Sequence, residues 1–262
     1  TIPGSEFSGE IEATGKAVTR FKVGDPVFGF SSDRFGAYAE FMCLPETAVL
    51  AIKPINLSYE KAAVLPYGSI IALNLLKKVN IQPGQKVLVN GASGAIGSAA
   101  VQIAKHYGAE VTGVCGTPRL DFVLSLGAVK VIDYTKSGFT QKLETYDLIV
   151  DILGKASFSK YKEFLSPNGV ILYASFKLKH LLQMIWTSLT QGQKVICAIA
   201  PGSAEDLNAV KEMIEAGQIK AVIDQCFSLD QAAEAHRYIE SGDKKGYVAI
   251  QVATADDLGR NK

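Results

Sequence analysis

Lys86-Val87-Leu88-Val89-Asn90-Gly91-Ala92-Ser93-Gly94-Ala95-Ile96-Gly97 is the stretch whose reading decides the fold. Val87-Leu88-Val89 is a short apolar run of the length that a buried parallel strand needs. It leads into a glycine-rich turn, after which Ala99, Ala100, Val101, Ile103 and Ala104 form the apolar face of a helix. A strand that feeds a helix through such a turn leaves free backbone N–H groups at the helix N-terminus, and the partial positive charge there favours a pyrophosphate. Ser93, Gly94, Ala95, Ile96 and Gly97 are the candidate cradle. Gly94 lets a backbone approach phosphates, and Gly97 lets the helix lie close on the strand. Ala92 stands where the usual spacing has its first glycine, so the pattern takes its weight from the strand–turn–helix setting.

Past this turn the chain alternates between strand and helix. Strands are expected at residues 110–115, 129–133, 148–152, 169–174 and 194–199, with helices at 119–126 and 158–165 and a short polar helix after residue 133. That alternation implies right-handed crossovers and a parallel, doubly wound sheet. The segment before it, up to about Leu57, is β-rich instead. Residues 9–13 alternate, residues 21–29 read as strand, tight turn and strand, and Phe35 to Leu44 alternates again, together suggesting a small barrel. Ser58 is a candidate N-cap for a helix carrying Ala62-Ala63-Val64-Leu65, interrupted at Pro66-Tyr67-Gly68-Ser69 and resumed from Ile70. The tail reads as helix 205–217, strand 221–227, helix 229–240 and a closing strand from Tyr247, with a frayed polar end from Thr254.

The composition excludes several function classes. With 262 residues, a formal net charge of +1 and 48% hydrophobic residues, the chain has room for one large domain or two modest ones. No basic excess points to nucleic acid, and no run of about 18 apolar residues is available to span a bilayer, so neither nucleic acid nor membrane is expected as a partner. The longest apolar helix candidate, 178–189, is interrupted by Lys179, His180 and Gln183. Cys43, Cys115, Cys197 and Cys226 are far apart and form no Cys-x-x-Cys pair, which fits reduced thiols in a cytoplasmic setting. His106, His180 and His236 are each isolated on a predicted helix, whereas zinc needs three or four converging ligands, so no metal is expected.

Gly4-Ser5-Glu6-Phe7-Ser8-Gly9-Glu10-Ile11, then Phe21-Lys22-Val23-Gly24-Asp25-Pro26-Val27-Phe28-Gly29, then Gly36-Ala37-Tyr38-Ala39-Glu40 resemble the medium-chain dehydrogenase/reductase superfamily. With the glycine loop and the ending Lys245-Gly246 before a terminal strand, the resemblance covers essentially the whole chain. It is closest to the zinc-free quinone oxidoreductase branch. Ser5 stands where the zinc-dependent branch has a histidine, and no cysteine-rich lobe is present. The resemblance implies a Rossmann domain at residues 58–203. It also implies a partial GroES-like (chaperonin-10-like) β-barrel domain made of residues 1–57 and 204–262, the chain end returning to the barrel. Further barrel strands are implied ahead of Thr1, so the chain is expected to be N-terminally incomplete.

The end of the second strand of the sheet bears on cofactor choice. NAD-selective proteins carry an acidic residue there, whereas Val114-Cys115-Gly116-Thr117-Pro118-Arg119 has no carboxylate before Asp121. Gly116 gives room, Thr117 a hydroxyl and Arg119 a guanidinium fork for a phosphate, although Arg119 also fits a solvated charge at a helix start. The resemblance adds Tyr134 at the adenosine phosphate, Asp133 being read as a strand-end or capping residue. NADPH is expected over NADH. Gly154 in Asp151-Ile152-Leu153-Gly154 and Phe176 in Ala174-Ser175-Phe176 lie at strand ends that face the nicotinamide in such a sheet, with Asp151 either a helix cap or a ligand contact. Lys245 is either a phosphate contact or a solvated turn lysine. Ile71 occupies the place of a threonine that the family keeps near the nicotinamide.

The implied activity is hydride transfer to a small quinone, enone or other carbonyl substrate without zinc, the developing oxyanion being held by hydrogen-bond donors. Tyr67 is the first candidate catalytic donor and Ser5 the second. A zinc-free alcohol or ketone dehydrogenase and a non-catalytic NADPH-binding module are the alternatives. A short-chain dehydrogenase is rejected, because Tyr173-Ala174-Ser175-Phe176-Lys177 begins in a strand and Ala95 breaks the required turn pattern. The exposed strand at Val195 to Ala198 suggests edge-to-edge pairing into a homodimer.

Overall fold

The structure, a computed structural model, describes residues 2–31, 34–137 and 144–252. It divides into two compact units, residues 1–70 with 202–262 and residues 71–201. Residues 58–70, placed with the dinucleotide-binding domain on sequence grounds, group with the first unit.

The first unit opens with three antiparallel strands in the order β1 (Glu6–Glu10), β2 (Pro26–Phe30) and β3 (Val49–Ile52). Gly29 permits their close approach, since a Cβ there would stand 2.5 Å from the Val49 carbonyl oxygen. Residues 21–25 form a turn and no strand; the Gly24 N–H donates to the Ile11 carbonyl and the Lys22 N–H to the Asp25 carboxylate. The alternating stretch Phe35 to Leu44 is also irregular. Phe35 and Gly36 take left-handed φ of 54° and 102°, and the N–H groups of residues 36–38 turn to the carbonyls of Pro3 and Gly4. A left-handed pair at its start keeps that stretch out of a ladder whatever its alternation.

Ser58 caps α1 (Tyr59–Ala63), its hydroxyl accepting the Lys61 N–H. Then α2 (Pro66–Leu76) starts at the proline, not at Ile70. Proline fills the first helical position without losing a bond that a helix start would otherwise make, so Pro66 opens the helix and does not interrupt it.

The second unit is a six-stranded sheet of β4 (Lys86–Asn90), β5 (Glu110–Cys115), β6 (Lys130–Asp133), β7 (Tyr146–Asp151), β8 (Leu165–Tyr173) and β9 (Lys194–Cys197). Its helices are α3 (Ala95–His106), α4 (Leu120–Ser125), α5 (Phe158–Tyr161) and α6 (Leu178–Leu189). The order is β6-β5-β4-β7-β8-β9, and every neighbouring pair is parallel. The expected doubly wound sheet is therefore present. Its strand order reverses between β4 and β7, the switch point at which such sheets open a crevice at their carboxyl ends. Val87, Leu88 and Val89 are buried, as strands covered on both faces require. Of the stretch between β6 and β7, where a short polar helix is expected, residues 134–137 form a turn and residues 138–143 lie outside the described residues, as does the tail end from residue 253.

The chain closes in the first unit with α7 (Ala204–Glu215), β10 (Ile223–Ser228), α8 (Ala232–Ser241) and β11 (Tyr247–Gln251). The two strands form a separate parallel pair. The Asn56 side-chain amide donates to the Ile214 carbonyl at 3.1 Å, tying the closing segment to the opening one. All four cysteines are free. Among the described residues, no helix is long and apolar enough to cross a membrane.

Candidate cofactor-binding site

The cradle is built where β4 hands over to α3. Gly91 takes φ +90° and bends the chain, Ala92 is fully buried, and Gly94 is the N-cap of α3 with no side-chain cap. Gly97 is fixed by packing, because a Cβ there would sit 2.1 Å from the Gly91 carbonyl oxygen. Gly94 is different: its Cβ would meet only that oxygen, at an ordinary 3.6 Å, and would otherwise project into open space. The first-turn N–H groups of Ala95, Ile96 and Gly97 have no intrahelical acceptor. Open space in front of uncapped donors at the positive end of a twelve-residue helix fits a diphosphate.

The ends of β5 and β6 bring Gly116, Thr117, Arg119 and Tyr134 together. The Tyr134 hydroxyl lies 3.5 Å from where a Gly116 Cβ would be, an ordinary contact distance that sets Tyr134 beside Gly116. Asp133 enters the same group. Its carboxylate accepts from the Thr117 hydroxyl at 2.5 Å and from the Thr135 hydroxyl and N–H at 2.7 and 2.9 Å. Those bonds hold its carboxyl below the usual range, so it is ionised at neutral pH. The Thr117 proton expected for a phosphate is thus donated to a carboxylate.

Across the switch point, Asn90 and Asp151 face each other in register at the ends of β4 and β7. One Asp151 oxygen accepts from the Asn90 amide and from the Leu153 and Gly154 N–H groups, each at 3.1 Å. Asp151 therefore caps its own turn and no helix. The Asn90 amide also donates to the Tyr161 hydroxyl at 2.9 Å. Gly154, at φ +60°, is compelled by crowding, since a Cβ would lie 2.0 Å from the Ser175 carbonyl oxygen. Phe176 turns its partly buried ring onto the apolar core of the sheet.

The candidate catalytic residues lie in the first unit. Tyr67 stands in the first turn of α2, its half-exposed ring 5.1 Å from that of Phe30. Its N–H donates to the Glu6 carboxyl at 2.8 Å. Burial pushes that carboxyl up to about 7, an effect the Tyr67 bond offsets only in part. The Ser5 carbonyl accepts from the Ser31 N–H and hydroxyl at 2.7 and 3.1 Å. Lys245 is exposed in the turn before β11, and its N–H donates to Asp224 at 2.7 Å.

Residues 1–54 match the alcohol dehydrogenase GroES-like domain, and residues 126–250 match the zinc-binding dehydrogenase family. The human mitochondrial NAD(P)H oxidoreductase RTN4IP1 is 31% identical over 278 residues, covering 95% of this chain and 70% of its own. This chain belongs to the medium-chain dehydrogenase/reductase superfamily, in its quinone oxidoreductase-like branch. The 2-methylene-furan-3-one reductase of Solanum lycopersicum is 31% identical over 95% of the chain, which spans 63% of that reductase's length. The quinone oxidoreductase of Coxiella burnetii has the same fold, with a TM-score of 0.83 and 24% identity over 96% of this chain and 79% of its own.

Within this superfamily member, three features of the two regions escaped the sequence reading. Gly91, not residue 92, makes the left-handed bend of the fingerprint. The alternation of glycine with small residues left both positions available. Glu6 was visible inside Gly4-Ser5-Glu6, but its half-buried setting is a tertiary fact that no local pattern carries. Asn90, the last residue of β4, looks like a turn residue and in fact bridges Asp151 and Tyr161. Among the described residues, no group of three or more His, Cys, Asp or Glu is placed to hold a metal.

Proposed function

We propose that this chain binds NADPH and reduces a small quinone or α,β-unsaturated carbonyl compound without zinc. The observation that carries the reading is the uncapped N-terminus of α3 at the switch point, with open space in front of Gly94. When bound, a reduced nicotinamide supplies a hydride. The N–H groups of Ala95, Ile96 and Gly97, with Ser93 beside them, hold the pyrophosphate. Gly116, Thr117, Arg119 and Tyr134 hold the 2′-phosphate, Thr117 releasing Asp133 to do so. Gly154 and Phe176 border the nicotinamide end, and Lys245 serves the phosphates. Tyr67, seconded by Ser5, donates a hydrogen bond to the acceptor oxygen as negative charge gathers there, and solvent delivers the closing proton. In this reading residues 58–203 bind the dinucleotide and residues 1–57 with 204–262 shape the acceptor site. The reading also includes a homodimer through the β9 edge and a cytoplasmic setting.

Relatives support the chemistry. One is named for reducing 2-methylene-furan-3-one and another is named an NAD(P)H oxidoreductase. A panel of enones and quinones with NADPH and with NADH tests the reading, and turnover with NADPH is the expected result. Calorimetric binding of NADPH with no acceptor reduced would leave a binding module. Turnover with NADH alone would move the adenosine end to Asp133 as a ribose partner.

A further inference from the structure

The two faces of α6 contrast. On the inner face His180 is buried, stacks on Tyr173 at 4.3 Å and accepts the Lys177 N–H, while Thr187 is buried and Met184 packs on the sheet core. The outer face repeats the apolar pattern and is left exposed among the described residues. Leu178, Leu182, Ile185, Trp186 and Leu189 are 71%, 59%, 56%, 57% and 83% exposed. At that spacing they form one stripe along three turns of the helix. Single exposed apolar side chains are ordinary, but five large ones in a row mark a surface that meets something else.

Charge narrows what that something is. Between Glu163 and Glu205 the sequence has no acidic residue, while Lys177, Lys179 and Lys194 fall within it. Lys194 is used inside the protein, donating to the Thr187 and Thr190 carbonyls at the end of α6. Lys177 and Lys179 are exposed and make no ion pair among the described residues. They also sit at the helix N-terminus, where cations oppose the helix dipole, so the stability of α6 does not account for them. A second copy would offer this stripe further apolar surface but, with no acidic residue between Glu163 and Glu205, no carboxylate of this segment for the two lysines. An anionic surface has no such lack.

We infer that the outer face of α6 docks on an anionic phospholipid bilayer, the apolar stripe entering the headgroup–acyl boundary while Lys177 and Lys179 meet the headgroups. A helix of twelve residues is too short to span, but lying in the interface asks only for an apolar face, cations and an interfacial aromatic. Binding to a membrane surface thus needs no spanning helix, and none of the described helices is long and apolar enough to be one. The inference is independent of the cofactor assignment.

Trp186 is the single tryptophan, so the protein carries its own reporter. The full chain is mixed with vesicles of phosphatidylcholine plus phosphatidylglycerol, and in parallel with phosphatidylcholine alone. Co-sedimentation and a shift of Trp186 emission to shorter wavelength are expected with the anionic vesicles only, with quenching by bromine-labelled acyl chains. Leu182→Gln with Leu189→Gln should lower the partition constant about ten-fold or more. Lys177→Gln with Lys179→Gln should lower it about five-fold per lysine and flatten its salt dependence. Unchanged circular dichroism and melting temperature check that either variant is folded. Absence of binding, or equal binding to neutral vesicles, overturns the inference. So does a concentration-dependent emission shift without lipid, accompanied by dimer formation that anionic vesicles leave unchanged, since the stripe would then be covered by a second copy.

Discussion

Replacing Glu6 by glutamine should stabilise the protein above neutral pH and do little in acid. Glutamine keeps an acceptor for the Tyr67 N–H, which is 2.8 Å from the Glu6 carboxyl oxygen, and removes only the charge. Burial raises this carboxyl from 4.5 to about 7. Below about pH 4.5 the group is protonated in the folded and the unfolded chain, and it costs nothing. Between that value and about 7 the unfolded chain has released its proton while the folded protein still holds one, so stability falls as pH rises. At roughly 1.4 kcal/mol per pH unit across the interval from 4.5 to about 7, the loss reaches at most about 3.5 kcal/mol above pH 7. The advantage of Glu6→Gln over the parent should therefore grow from near zero in acid to that figure in mild alkali. Urea denaturation of both proteins across this range, followed by circular dichroism, measures it. An advantage that does not change with pH, or a parent that is the more stable protein in alkali, would refute the assignment of Glu6 as a half-buried carboxyl charged at a cost.

Two glycines of the same loop should separate cleanly. Gly97→Ala drives a Cβ to 2.1 Å from a backbone oxygen and should lose about 3 kcal/mol or more in thermal melts, whereas Gly94→Ala, with its nearest contact at 3.6 Å, should melt normally and yet weaken calorimetric NADPH binding about ten-fold. Arg119→Ala should raise the Michaelis constant for NADPH by one to two orders of magnitude and leave that for NADH nearly unchanged; a parallel loss for both would place the phosphate elsewhere. Asp133→Asn removes an ionised carboxylate from beside Thr117 and should lower the NADPH constant about three-fold in steady-state assays, and a weaker NADPH response would show that Asp133 supports the cofactor instead.

The sheet was legible because its signals are local. Val87-Leu88-Val89 is apolar on both sides since both faces of β4 are covered, and the helices between strands carry their own periodicity. The small antiparallel sheet was less so. Phe35 to Leu44 alternates like a strand, but the left-handed backbone at Phe35 and Gly36 spends its amides on Pro3 and Gly4. Strand β3 was not legible, since its four apolar residues show none of the alternation that marks the neighbouring stretches. At the site, Gly116, Thr117 and Arg119 follow from counting to the end of β5, Tyr134 comes from the family resemblance alone, and the structure sets Tyr134 beside Gly116. The bond from Thr117 to Asp133 joins the turn after β5 to the end of β6, and no spacing within either segment encodes it.

A single oxygen of Asp151 fastens the tip of β4, through Asn90, to the turn that leaves β7, through the amides of Leu153 and Gly154. The floor of the switch-point crevice is consequently set before any ligand arrives. Protons on the Leu153 and Gly154 amides should exchange slowly in the ligand-free protein, and an incoming dinucleotide would forfeit none of its affinity to ordering that turn.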